Sequence, residues 1–356
     1  MPATGLFPAI GLFIETSPDI TNADMITVAQ RADTLGYHSL WTGESWGRDV
    51  FTVLTMLACH TKSVRLGTGI ATVFSRTPSL IAQSIASLDS ISEGRAILGL
   101  GTSGRIVIED WHGLPYQKPL ARTREYIEII RKALSGEAVN HNGDLFQLAR
   151  FRMTARAVQQ HMPIYLATLG PKNLELTGQL ADGWLPTWLD CNHIGEFKDL
   201  IAIAASKAGR DISDITAAPY IMCYASDDGA EIAEGEKGIR AHMAYYIGGM
   251  GDYYHGLVSR QGYSAEADAI RAAWASNDRS KAAAVISDNM LDNIGILGST
   301  SECRSKLERF RQAGVDMPIL IFPRGSSLAA VLRTVEALAP EPNDSRDATQ
   351  SSRTVK

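Results

Sequence analysis

The chain is short of the features that mark special classes of protein. Cysteine is scarce: Cys59, Cys191, Cys223 and Cys303 are the only four in 356 residues, and no two form a Cys-x-x-Cys pair. With no His-rich cluster beside them they argue against a metal site, and as free thiols they fit a reducing cytoplasm. No apolar run approaches the roughly 18 residues of a membrane span. The first residues lack a basic stretch followed by an apolar one, so no signal peptide is expected. There is no dense Lys/Arg run and the net charge is −5, which points away from nucleic acid as a partner. No Gly-x-Gly-x-x-Gly opens the first helix, so the fingerprint of an open, doubly wound dinucleotide-binding sheet is missing. No Ser-His-Asp or Cys-His arrangement is readable. Only Lys172 falls near a predicted strand end, just inside a helix, which disfavours Schiff-base chemistry.

What is present is ordinary for a globular chain, 45% hydrophobic and 21% charged, and strongly patterned. Short continuous apolar runs alternate with helical periodicity. The runs are Ala9 to Ile14, Ser39 to Thr42, Val64 to Gly69, Ala96 to Leu100, Pro163 to Ala167, Gly183 to Pro186, Ala217 to Tyr224 and Pro318 to Phe322. Helix starts are marked by Thr21 or Asn22, by Thr77-Pro78 and by the Ser299…Glu302 capping box. Asn142-Gly143 reads as the turn of a hairpin over Asn140 to Leu148. Eight apolar strands interleaved with helices predict an α/β fold, a (β/α)8 TIM barrel forming one domain over 1–338. A mostly helical insertion is expected at about 228–293, before the last strand. The polar tail 339–356 is expected to be disordered.

In such a barrel the chemistry sits where strands end at their C-termini. Two loops there are built of small residues. Gly101-Thr102-Ser103-Gly104 follows the fourth strand, and Ala167-Thr168-Leu169-Gly170-Pro171 follows the fifth and opens a helix. Small residues let backbone N–H groups approach an anion, and proline suits the first turn. Each loop alone could be a mere turn. Two in one chain suggest a single ligand with a phosphate. Glu15 ends strand one, Trp41, Glu44 and Trp46 end strand two, and Gly69-Ile70 ends strand three. Arg105, Glu109, Asp110, Trp111 and His112 follow the first loop. This rim suits a flat aromatic ligand with an anionic tail. Each residue also has a plainer reading: Glu15 as an ion-pair partner, Glu44 as a helix N-terminal carboxylate, Trp41 and Trp46 as packing, and the tyrosines near Gly249 as filling for the insertion.

Taken together, several short segments make the chain resemble the luciferase-like monooxygenase superfamily, in particular its coenzyme F420-dependent branch. They are Leu66-Gly67-Thr68-Gly69-Ile70, Ile91-Ser92-Glu93-Gly94-Arg95, Gly99 to Gly104, Trp111 to Pro115, Pro163 to Ala167 with Gly170-Pro171, and Ala181-Asp182-Gly183-Trp184. The early segments are similar to methylenetetrahydromethanopterin reductase. The resemblance implies a cofactor at the C-terminal face, with a non-proline cis peptide at Gly69-Ile70 against the deazaflavin ring. It implies phosphate binding by Gly101, Thr102, Ser103 and Gly104 and by Ala167, Thr168, Leu169, Gly170 and Pro171; Trp41 is expected in the cofactor site from its place at the end of strand two. It implies hydride transfer at C5 of the deazaflavin, with Glu15 or Glu44 handling the proton. Glu44 stands where sugar-phosphate dehydrogenase relatives carry a histidine, which puts sugar-phosphate oxidation in doubt. An FMN-dependent monooxygenase and a non-catalytic flavin-binding barrel are the competing readings. A small-molecule substrate, a homodimer and a cytoplasmic location are further expectations.

Overall fold

The computed structural model describes residues 9–340, so the tail expected beyond 339 lies almost wholly outside the described residues. Eight parallel staves form the barrel: β1 Gly11–Phe13, β2 Ser39–Thr42, β3 Arg65–Thr68, β4 Ala96–Gly101, β5 Ile164–Ala167, β6 Gly183–Trp184, β7 made of Thr216–Ala217 and Tyr220–Ala225, and β8 Ile319–Ile321. Each pairs with its successor, except that the β7 stave meets β6 through Thr216–Ala217 and β8 through Tyr220–Met222. The break between the halves falls at Pro219, which has no N–H to give a ladder. Pairing of β1 with β8 closes the ring.

Alternation along the staves divides the apolar residues between two cores. One face of each stave meets the surrounding helices in a continuous core that includes Leu12, Leu40, Leu66, Leu98, Leu100 and Leu320. The other face fills the barrel lumen with Trp41, Ile97, Tyr165, Leu185, Ala218, Met317 and Ile319. Trp41 is the largest of these and is fully buried. Its indole N–H donates to Ser39 Oγ at 2.8 Å, and its ring lies on Tyr165. The ring needs Gly67 beneath it, because a Cβ there would come within 2.4 Å of the indole.

The helices begin where the sequence marks them. Thr21 and Ser299 both close capping boxes, on helices Asn22–Thr34 and Thr300–Gln312, and Thr77 caps Pro78–Ile91. The hairpin pairs Val139–Asn142 with Gln147–Phe151, so its turn spans 143–146 and not two residues. It is anchored from below by Glu125, which accepts from the amides of Leu145 and Phe146 and meets His141 Nε2 at 3.2 Å.

Helices Gly229–Gly249, Asp252–Val258, Ser264–Ala275, Arg279–Ala284 and Asp288–Ile294 occupy the expected insertion. Two short strands escape a reading by periodicity. Ala71–Thr72 pairs with the end of β4, and Ile296–Gly298 pairs with Cys223–Ala225. Segments of two or three residues carry no measurable alternation. Among the described residues no helix is long and apolar enough to cross a membrane.

Candidate functional site

At the C-terminal mouth the loops after β3, β4 and β5 meet. The Gly69–Ile70 peptide bond is cis. Gly69 lies so close to the Tyr220 hydroxyl that a Cβ would stand 2.3 Å from it. Ile70 turns its side chain onto the neighbouring loops. A Cβ placed on Gly101 would lie 3.1 Å from Ile70 Cδ1 and 3.2 Å from the Ala167 Cβ. Three expected site residues, Ile70, Gly101 and Ala167, are thus in mutual reach, and glycine at 101 is what lets them approach.

Beyond Gly101 the chain leaves the ladder. Ser103 takes a left-handed φ of 56°, and Gly104 O accepts from the amides of Val107 and Ile108. Among the described residues the amides of Thr102, Ser103 and Gly104 donate to no protein acceptor. In the second loop Thr168 is buried, its hydroxyl 2.8 Å from that of Thr177, and its carbonyl accepts Trp184 Nε1–H at 2.8 Å. Arg260, from the insertion, donates to Leu169 O at 3.3 Å. Gly170 caps Pro171–Leu180 with its backbone alone, and a Cβ on it would meet nothing within 4 Å. These loops therefore present unused N–H groups and open space, with the cation Arg260 beside them. That combination fits a phosphate.

The two candidate carboxylates have different surroundings. Glu44 is committed: Arg76 grips both its oxygens, and Val50 N donates to Oε2 at 3.3 Å at the start of helix Val50–His60. Arg76 also grips Asp49, the cap of that helix. Burial works against the Arg76 charge, but Glu44 and Asp49 outweigh it and raise its pKa. Glu44 is thus the helix-end carboxylate of the plainer reading. Glu15 takes the amides of Thr16 and Ser17 on Oε1, both at 3.1 Å, and among the described residues nothing donates to Oε2.

Trp41 is a correction. It was expected in the cofactor wall, but its indole folds down towards Gly11 and Ser39 in the sealed lumen and presents no surface to the mouth. Trp46 and Trp111 are 46% and 60% exposed. Arg105 pairs with Glu109 and lies over the Tyr116 ring.

Other residues at the mouth carried no local sequence signal. Tyr220 OH, Thr42 Oγ1, Thr72 Oγ1, Trp188 Nε1 and His242 Nδ1 are buried without a hydrogen-bond partner. Such atoms are costly unless something else satisfies them. The insertion roofs this side. Met250 Cε comes within 3.9 Å of where a Cβ on Gly104 would be, and the Tyr253 hydroxyl is 3.4 Å from that of Tyr116. Tyr246 packs against Trp188, His242, Tyr245 and Tyr254. Tyr245, Tyr246 and Tyr254 therefore pack the insertion, as the plainer reading has it, whereas Tyr253 is 50% exposed. Burial raises the Tyr246 pKa. Among the described residues no group of three or more His, Cys, Asp or Glu is placed to hold a metal ion.

Residues 6–317 match the model of a family described as luciferase-like monooxygenase. The chain is 31% identical over 321 residues to Rv3520c of Mycobacterium tuberculosis, which carries the name of a coenzyme F420-dependent oxidoreductase; the match covers 85% of this chain and 91% of that one. It is 32% identical over 313 residues to 5,10-methylenetetrahydromethanopterin reductase of Methanolobus tindarius, covering 86% and 92%. The solved coenzyme F420-dependent tetrahydromethanopterin reductase from Methanopyrus kandleri superposes with a TM-score of 0.79 at 24% identity, over 93% of this chain and 98% of that one. That likeness shows the shared barrel.

Proposed function

The chain belongs to the luciferase-like monooxygenase family, and we propose that it is a coenzyme F420-dependent oxidoreductase acting on a small organic molecule. The observation that carries this reading is the convergence of Ile70, Gly101 and Ala167 between two loops with unused backbone donors. The name of the Mycobacterium tuberculosis relative supports the choice of cofactor.

The deazaflavin, when bound, supplies a carbon that accepts or gives up a hydride. The residues of this chain do the rest. The amides of Thr102, Ser103 and Gly104 and the loop Ala167–Pro171 hold the phosphate, with Arg260 adding positive charge. The bulge at Gly69–Ile70 supports the ring. Glu15 holds or takes the proton, because its Oε2 is unengaged while Thr16 and Ser17 fix its other oxygen. The insertion shields the mouth from water, which strengthens each of these polar contacts.

The test is a titration of the purified protein with F420 and, separately, with FMN, followed by tryptophan fluorescence. Saturable low-micromolar binding of F420 without FMN is expected. It would be followed by a substrate screen with the reduced coenzyme. Tight binding of FMN and none of F420 would refute the proposal and make oxygen consumption the next assay.

A further inference from the structure

The loop after β6 contains a conformation that needs explaining. Trp188 has φ 58°, the left-handed region that a bulky residue enters only where its surroundings hold it. The insertion holds it. Gln261 Nε2 donates to Trp188 O at 3.0 Å, and Gln261 Oε1 accepts from Asp190 N at 2.8 Å. The Tyr263 hydroxyl in turn donates to the Asp190 carboxylate. One glutamine thus pins the loop on both sides of Leu189.

The side chain so positioned is 3% exposed, yet its indole N–H has no acceptor. Its neighbour repeats the pattern. The His242 ring lies 5.8 Å from the Trp188 ring, centroid to centroid, and stacks on Tyr246 at 5.2 Å and 18°. His242 Nδ1 is likewise buried and unpaired. Two neighbouring buried rings thus each carry a polar atom that no described residue satisfies, and such atoms are costly unless another group meets them.

We propose that Trp188 and His242 together read the lactam edge of a flat heterocycle, Trp188 Nε1–H donating to its carbonyl oxygen and His242 Nδ1 accepting from the adjacent N–H. Burial, aided by Arg324, pushes the His242 pKa down to about 3. The ring is therefore neutral at neutral pH, and with its proton on Nε2 it offers a lone pair at Nδ1. The proposal rests on the cofactor reading above, because a lactam edge is found both on a heterocyclic substrate and on the pyrimidine ring of the deazaflavin. Gln261 is a positioning residue, acting through the Trp188 backbone.

Calorimetric titration separates the two sources. Wild type, W188F, H242F and H242Q are titrated with F420 alone, and then, once F420-loaded, with folic acid as a lactam-bearing probe. Melting curves check that each variant is folded, and the two His242 variants carry the test if W188F does not fold. A tenfold or greater loss in W188F and H242F, with H242Q close to wild type, supports the pair. Loss confined to F420 assigns the edge to the cofactor, and loss confined to folic acid assigns it to the substrate. Unchanged affinities for both ligands, or equal losses in H242F and H242Q, overturn the proposal. Wild type that binds no F420 defeats the cofactor reading instead, and the pair then stands or falls on folic acid alone.

Discussion

Exchanging each candidate carboxylate for its amide should separate chemistry from architecture. In Glu15→Gln the amide oxygen can still accept from Thr16 and Ser17, whose amides lie 3.1 Å from the present Oε1. Stability should then change by no more than about 0.5 kcal/mol, while a lost proton donor or acceptor lowers turnover by about 10²–10⁴-fold. Glu44→Gln should do the opposite. The Glu44–Arg76 pair is 12% and 16% exposed, and breaking a buried pair by removing one partner costs about 3–5 kcal/mol. Asp49 remains as a partner for Arg76, so the cost should fall below that range, at about 2 kcal/mol, and appear as a drop of a few degrees in melting temperature. The assays are thermal melting and stopped-flow absorbance of F420 with the substrate found by the screen. Full turnover in Glu15→Gln, or a large loss of turnover in Glu44→Gln at unchanged melting temperature, would refute this assignment.

Gly170→Ala should fold normally, because φ −94° and ψ 153° suit any residue and the new methyl meets no protein atom within 4 Å. It should still weaken F420 binding about tenfold, or ~1.4 kcal/mol, by filling phosphate space; an unchanged Kd would take this loop out of the cofactor site. Gly67→Ala drives a methyl to within 2.4 Å of the Trp41 ring and should destabilise by about 1–3 kcal/mol or more in a denaturant melt. His242 has a folded pKa of about 3 against 6.5 unfolded, so the unfolded chain binds the extra proton between those values. Its contribution to stability is full above pH 6.5 and is lost as pH falls towards 3, and melts of His242→Gln across that window should show a shallower decline than wild type. Burial pushes the Glu125 carboxyl up, but the His141 hydrogen bond and the amides of Phe146 and Leu145 outweigh it and hold the pKa below the usual range. That group stabilises above the unfolded carboxylate value and the benefit is lost at lower pH, so hydrogen exchange in the hairpin 139–151 should quicken below pH 4 before exchange in the barrel does.

The barrel was legible because its staves are buried on both faces and read as apolar runs, and because Thr21, Thr77 and Ser299 announce their helices through contacts only three residues long. The small-residue loops were legible for a similar reason, since glycine and proline act on their own backbone. What escaped depends on partners far along the chain. Arg76, which engages Glu44, lies 32 residues away from it. The Trp41 side chain could be placed at a strand end but not aimed, because which way an indole turns in the lumen depends on Gly11 and Gly67 in neighbouring staves. Trp188 and His242 lie on separate elements, and nothing within ten residues of either announces a shared role.

The same distinction governs how the site is assembled. The loops after β3, β4 and β5 are local devices, and they meet where Gly101 lies against Ile70 and Ala167. The insertion covers two of those same loops, through Met250 over Gly104 and Arg260 on Leu169, and reaches further residues through Tyr253 on Tyr116 and Gln261 on Trp188. Three of those four contacts fall within eleven residues, 250–260, and the fourth is the next residue. A change in this one segment would therefore alter what covers the loops after β4, β5 and β6 while the bulge at Gly69–Ile70 stayed in place. A barrel can change its reaction through one such loop segment while its scaffold stays in place.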